Sequence, residues 1–262
     1  MNAMERPIAA VTFLLAWASS ACGGVESQIL RGMESRMMEW ELPRGPGYQM
    51  MGDHILMTEL RAPTPQDSAE AWRRVYELRE ALEPYRDSDY AVRDGYRPFL
   101  AEVPGQDEYH FTNYRYAWQQ AMGGFDPAKP TSLLYERRGD DYRLVGVMYT
   151  ADADAALDEL DRRVLLSMGQ WHLHVNVCLP PRGRGDARDM AGPGARFGTR
   201  GSISTAEECE VAGGRFFPRV FNWMVHVYPY EEHLAGVFQL PAGHRDGHTG
   251  HDMMGGGHHG HH

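Results

Sequence analysis

Positive charge is scarce in this chain. Its 262 residues hold 26 lysines and arginines against 36 aspartates and glutamates, a formal net charge of −10. A general nucleic-acid binder, which needs a basic face, is therefore not expected. Long apolar runs are missing as well. The stretch Pro7–Ala18, PIAAVTFLLAWA, is too short to span a bilayer. There is no P-loop, no dinucleotide fingerprint, no nucleophile elbow and no His-Glu-x-x-His zinc motif. Nucleotide-dependent chemistry and the commonest hydrolytic machineries thus have no support in the sequence. No internal repeat is visible, and cysteine is limited to three residues, Cys22, Cys178 and Cys209.

What the chain does have is material for a core. Hydrophobic residues make up 42% and aromatics 11%, which excludes a disordered chain as a whole. The apolar run follows Arg6 and precedes the small residues Ser19, Ser20 and Ala21, the pattern of a signal peptide over residues 1–21. The stretch SSACGG at 19–24 resembles the lipobox of bacterial lipoproteins, with Ser19 where that pattern usually carries an aliphatic residue. The resemblance implies that Cys22 is lipidated and serves as an outer-membrane anchor, Gly23 following it. Export to the periplasm is the expected localisation. Once Cys22 is lipidated or removed, Cys178 and Cys209 remain as an even pair in an oxidising compartment, so a disulfide is expected. The alternative is that Cys178 is a thiolate ligand.

The expected fold is α+β: a single domain over 25–240 with N-terminal helices and a mostly antiparallel sheet. Glu26–Leu42 has helical spacing, and Pro43–Gly47 ends it. Thr64-Pro65 opens a second helix with an apolar stripe at Ala71, Val75, Leu78 and Leu82, stopped by Pro84. A further helix is expected over Asp87–Tyr96, and Tyr109–Gln120 is dense enough in aromatics to be a core segment. Ile55–Leu60, Ser132–Arg137, Tyr142–Thr150, Gly169–Leu179 and Phe216–Tyr228 are the expected strands, the second and third forming a hairpin around Gly139. Ala151–Arg163 is expected to be a loop plus a short helix. Residues 180–202 read as a long, Gly/Pro/Arg-rich loop, and Thr205 with Glu208 has capping-box spacing for a short helix.

The stretch that bears on chemistry is QWHLHVNVCLPP at 170–181. A strand has a side-chain period of two, so His172, His174, Asn176 and Cys178 face one way. Trp171, Leu173, Val175 and Val177 face the other and form a normal buried face. Alternate residues of a strand lie about 6–7 Å apart, close enough for both imidazoles to reach one ion. A third ligand is needed, and His226 in NWMVHVYPY is the best candidate, on a face shared with Met224 and Asn222. His110, His233, Glu231 and Glu232 are reserves. The His-x-His pattern invites comparison with cupins, but Cys178 and Leu179 occupy the place of the cupin glutamate, and no cupin site is carried over.

The tail at 241–262 holds seven histidines and two methionines among glycines and is expected to be disordered. Imidazole and thioether are ligands for soft and borderline metals. The expected function is an exported copper- or zinc-binding protein with a folded site at His172, His174 and His226 and a scavenging tail. A periplasmic metalloenzyme using the same histidines is one alternative. A ligand-binding or interaction lipoprotein with structural histidines is the other.

Overall fold

A computed structural model describes residues 40–99, 106, 108–181, 187–190 and 194–240. The expected signal peptide, Cys22 and the histidine-rich tail lie outside the described residues. So does most of the helix expected over Glu26–Leu42, and its last residues, Trp40–Leu42, are irregular rather than helical.

The strands are β1 (Tyr48–Met51), β2 (Ile55–Thr58), β3 (Arg97–Pro98), β4 (Tyr109–Thr112), β5 (Ser132–Arg138), β6 (Asp141–Ala151), β7 (His172–Leu179) and β8 (Arg215–Val227). The helices are α1 (Asp67–Leu82), α2 (Ser88–Arg93), α3 (Tyr114–Ala121), α4 (Leu157–Arg163), α5 (Ala187–Met190), α6 (Ala206–Val211) and α7 (Leu234–Val237). All eight strands join one sheet in the order β1-β2-β7-β8-β6-β5-β4-β3, and every pairing is antiparallel. The α+β class with a mostly antiparallel sheet is thus what forms.

The stripe Ala71, Val75, Leu78 and Leu82 is buried along α1, as its spacing requires. The helix starts at Asp67 rather than at Pro65. The buried Asp67 carboxylate accepts hydrogen bonds from Thr64 N (3.0 Å), Thr64 Oγ1 (2.6 Å), Ser167 Oγ (2.6 Å) and Arg61 (2.6 Å), so the preceding turn is held by a side chain. Pro84 falls in a 3₁₀ turn, Glu83–Arg86, that ends the helix. The aromatic run over Tyr109–Gln120 is core, as expected, but it breaks in two. Asn113 accepts from the backbone amides of Arg115 and Tyr116, capping α3 and stopping β4. Tyr109, Phe111 and Tyr116 then pack with Tyr85, Tyr96 and Tyr135.

The two faces of the sheet differ. One carries Leu56, Leu133, Val147, Trp171, Leu173, Val175, Val225 and Val227, covered by α1 and the aromatic cluster. The other carries Leu134, Met148, Met224 and Tyr228, together with the histidines. The strands β7 and β8 meet through a bulge: His172 pairs with Met224 and His174 with Val220, so Leu173 alone faces Phe221, Asn222 and Trp223. Phe221 (φ 64°) and Asn176 (φ 54°) are the only non-glycine residues with positive φ among those described. Such positions cost on the order of 1–3 kcal/mol each, and surrounding contacts must impose them. Asn176 is fastened by its Nδ2 donating to Asp53 O at 2.9 Å.

The expected disulfide forms between Cys178 and Cys209, Cα atoms 5.6 Å apart. It ties β7 to α6, the helix capped by Thr205 Oγ1, which accepts from Glu208 N. Gly214, just before β8, lies so close that an added Cβ would meet both sulfurs, at 2.5 and 2.9 Å. The second half of the long loop is docked rather than solvated. Phe197 and Ile203 pack on the disulfide, and His54 bridges Val175 O (3.2 Å) and Gly201 O (2.7 Å) through its two ring nitrogens.

Candidate metal centre

The strand β7 alternates as its sequence suggests over its first half. Leu173 and Val175 go into the main core, while His172 turns to the opposite face, where it is buried to 1% exposure, and His174 is half-buried. On β8, Val225 and Val227 enter the core and Met224 and His226 turn to the same side as His172. Neighbouring strands therefore present these side chains to one another. The imidazoles of His172 and His226 have centroids 5.3 Å apart and lie 25° from parallel. Those of His172 and His174 are 5.6 Å apart and nearly perpendicular.

A fourth ring completes the row. His110 on β4 stands 5.6 Å from His226, centroid to centroid. Two strands, β5 and β6, lie between β4 and β8 in the sheet order. At about 4.8 Å per strand a flat sheet would separate the two backbones by roughly 14 Å. The rings meet because the sheet curls with this face inside. Tyr228, directly after β8, closes the same gap, its hydroxyl donating to a Glu108 carboxylate oxygen at 3.1 Å.

Two imidazoles sharing one ion, with metal–nitrogen bonds near 2.0–2.1 Å and a tetrahedral angle, have centroids roughly 5 Å apart. The observed spacings of 5.3 and 5.6 Å are close to that value. The orientation of the donors is a separate matter. Among the described residues, no three His, Cys, Asp or Glu side chains are arranged to hold a metal ion.

The other candidates are elsewhere. Cys178 is consumed by its disulfide and sits in a separate cluster with Phe197, Ile203 and Cys209, which removes the thiolate-ligand alternative. Glu231, Glu232 and His233 are exposed at the turn before α7, beside Arg79 and Gly236. Asn222 lies within the bulge, where Arg219 Nη1 donates to its side-chain oxygen at 3.4 Å. His110 was recognisable in the sequence only as a reserve, because its approach depends on the curl. No helix among the described residues is long and apolar enough to cross a membrane. No protein-family model, no curated protein and no solved structure matches the chain.

Proposed function

We propose that this is an exported metal-binding protein whose folded domain takes copper or zinc at His172, His174 and His226, with His110 beside them. One observation carries this reading: four imidazoles from β4, β7 and β8 line up on one curled face at spacings of 5.3–5.6 Å. Three of them would supply the ligand set, and the fourth either completes it or orients a ligand ring. The Cys178–Cys209 disulfide fits an oxidising compartment, in keeping with the signal-peptide pattern at 1–21. The histidines and methionines at 241–262 would capture metal and raise its local concentration near the folded site. Copper is favoured over zinc because the tail pairs imidazole with thioether.

The test uses the full-length chain with the seven tail histidines and two tail methionines replaced by serine, so that the folded domain supplies the remaining binding. Equilibrium dialysis should give a single tightly held copper or zinc ion, lost in His172→Asn and His226→Asn with an unchanged far-UV spectrum. If the parent takes up neither metal, the histidines are structural and the proposal is lost.

A further inference from the structure

We infer that the site discriminates in favour of cuprous copper, and that the thioethers of Met148 and Met224 are ligands beside the imidazoles. The inference rests on the metal-binding reading of His172 and His226 given above. Met224 is the direct cross-strand partner of His172, and Met148 that of His226. Met224 and His226 are alternate residues of β8, so the four run as a staggered row across β7, β8 and β6, with Met224 and His226 side by side in its middle. The rings of His172 and His226 lie 5.3 Å apart, centroid to centroid. Met148 and Met224 belong to one buried cluster, each 7% exposed. Directly opposed side chains of an antiparallel pair have Cβ atoms about 4.5–5.5 Å apart, within reach of a common ion for side chains as long as methionine.

The register adds a third sulfur. Met57 on β2 is buried and opposes His172 from the other side, so that one cross-strand row reads Met57, His172, Met224. Leucine or isoleucine would also fill these positions, with better-defined rotamers and no sulfur. A flexible, polarisable thioether next to a neutral imidazole is a ligand pair for a soft monovalent ion. It adds nothing for zinc, which takes nitrogen, oxygen or thiolate.

The discriminating experiment again uses the full-length chain with the tail ligands replaced. Competition titrations with a cuprous chelator and, separately, with a zinc chelator compare the parent with Met148→Leu/Met224→Leu. The expected result is a fall in cuprous affinity of roughly tenfold or more, with zinc affinity unchanged within about twofold. Equal cuprous affinity in parent and variant, or an equal fall for both metals, overturns the inference while leaving the histidine site standing. A parent that binds neither metal removes both. Should the double variant fail to fold, selenomethionine-labelled parent loaded with cuprous copper serves instead: copper–selenium scattering in X-ray absorption is expected, and its absence overturns the inference.

Discussion

The ring of His172 on β7 lies face to face with that of His226 on β8, centroids 5.3 Å apart, although their cross-strand partners are different residues. They meet on a diagonal. Direct opposition belongs to His172 with Met224 and to Met148 with His226, so each imidazole has a thioether as its nearest strand-to-strand neighbour.

Because the two faces of β7 are separate, stability and metal binding should respond to different substitutions. Leu173 is fully buried in the main core. Leu173→Ala should cost about 2–5 kcal/mol in urea unfolding while the folded protein keeps its metal stoichiometry. His172→Asn should do the reverse, abolishing metal uptake with a smaller loss of stability. If both variants lost metal and stability in parallel, the face-by-face division would be wrong.

The row of imidazoles makes His110 a test of the curl. His110→Phe keeps a ring of similar shape next to His226 but removes its nitrogens. Metal affinity should fall by about 10–100-fold, whether the lost ring was a ligand or the partner orienting one. Binding in the parent should weaken below about pH 6, since an imidazole must be neutral to coordinate. Isothermal titration between pH 5 and pH 8 would show it, and affinity rising as pH falls would contradict a histidine site.

The disulfide closes a loop with a sequence separation of 31. In the chain-entropy picture a loop of that size contributes about 3–4 kcal/mol. Cys178→Ser/Cys209→Ser should lower the midpoint of thermal unfolding accordingly, and adding reductant to the double variant should change nothing further. Gly214→Ala offers an independent check, because its methyl group would have to displace both sulfurs. It should cost about 1–3 kcal/mol in the disulfide-bonded protein.

Asp67 ties stability to pH. Its carboxyl is held well below the usual carboxylate range, first by Arg61, then by Ser167 and Thr64. A group whose folded value is depressed contributes stability above its unfolded value, near 3.9, and loses that contribution as pH falls below it. Asp67→Asn should therefore be less stable than the parent at pH 7, with the gap narrowing below about pH 4. Urea melts at pH 7 and pH 3 measure it, and a gap that widened on acidification would refute the assignment.

Local pattern carried much of this structure. The stripe Ala71, Val75, Leu78 and Leu82 is helical by spacing and is the buried edge of α1. The hairpin of β5 and β6 turns at Gly139, which adopts φ 65°. The alternation in QWHLHVNVCLPP separates the core residues Leu173 and Val175 from His172, because a strand has a period of two. The edge strand β1 and the two-residue β3 were invisible, being too short to show a period.

The sequence by itself therefore determined the alternation of the first half of β7, left Cys178 and Cys209 as an even pair with the thiolate alternative open, and placed His172 and His174 on one strand face. Only the tertiary structure decided which strands are neighbours. It set β8 between β7 and β6, put a bulge between His172 and His174, and curled the sheet until His110 reached His226. The physical reason is that strand order, bulge position and curvature arise from long-range backbone pairing and packing, whereas sequence periodicity records only one element at a time.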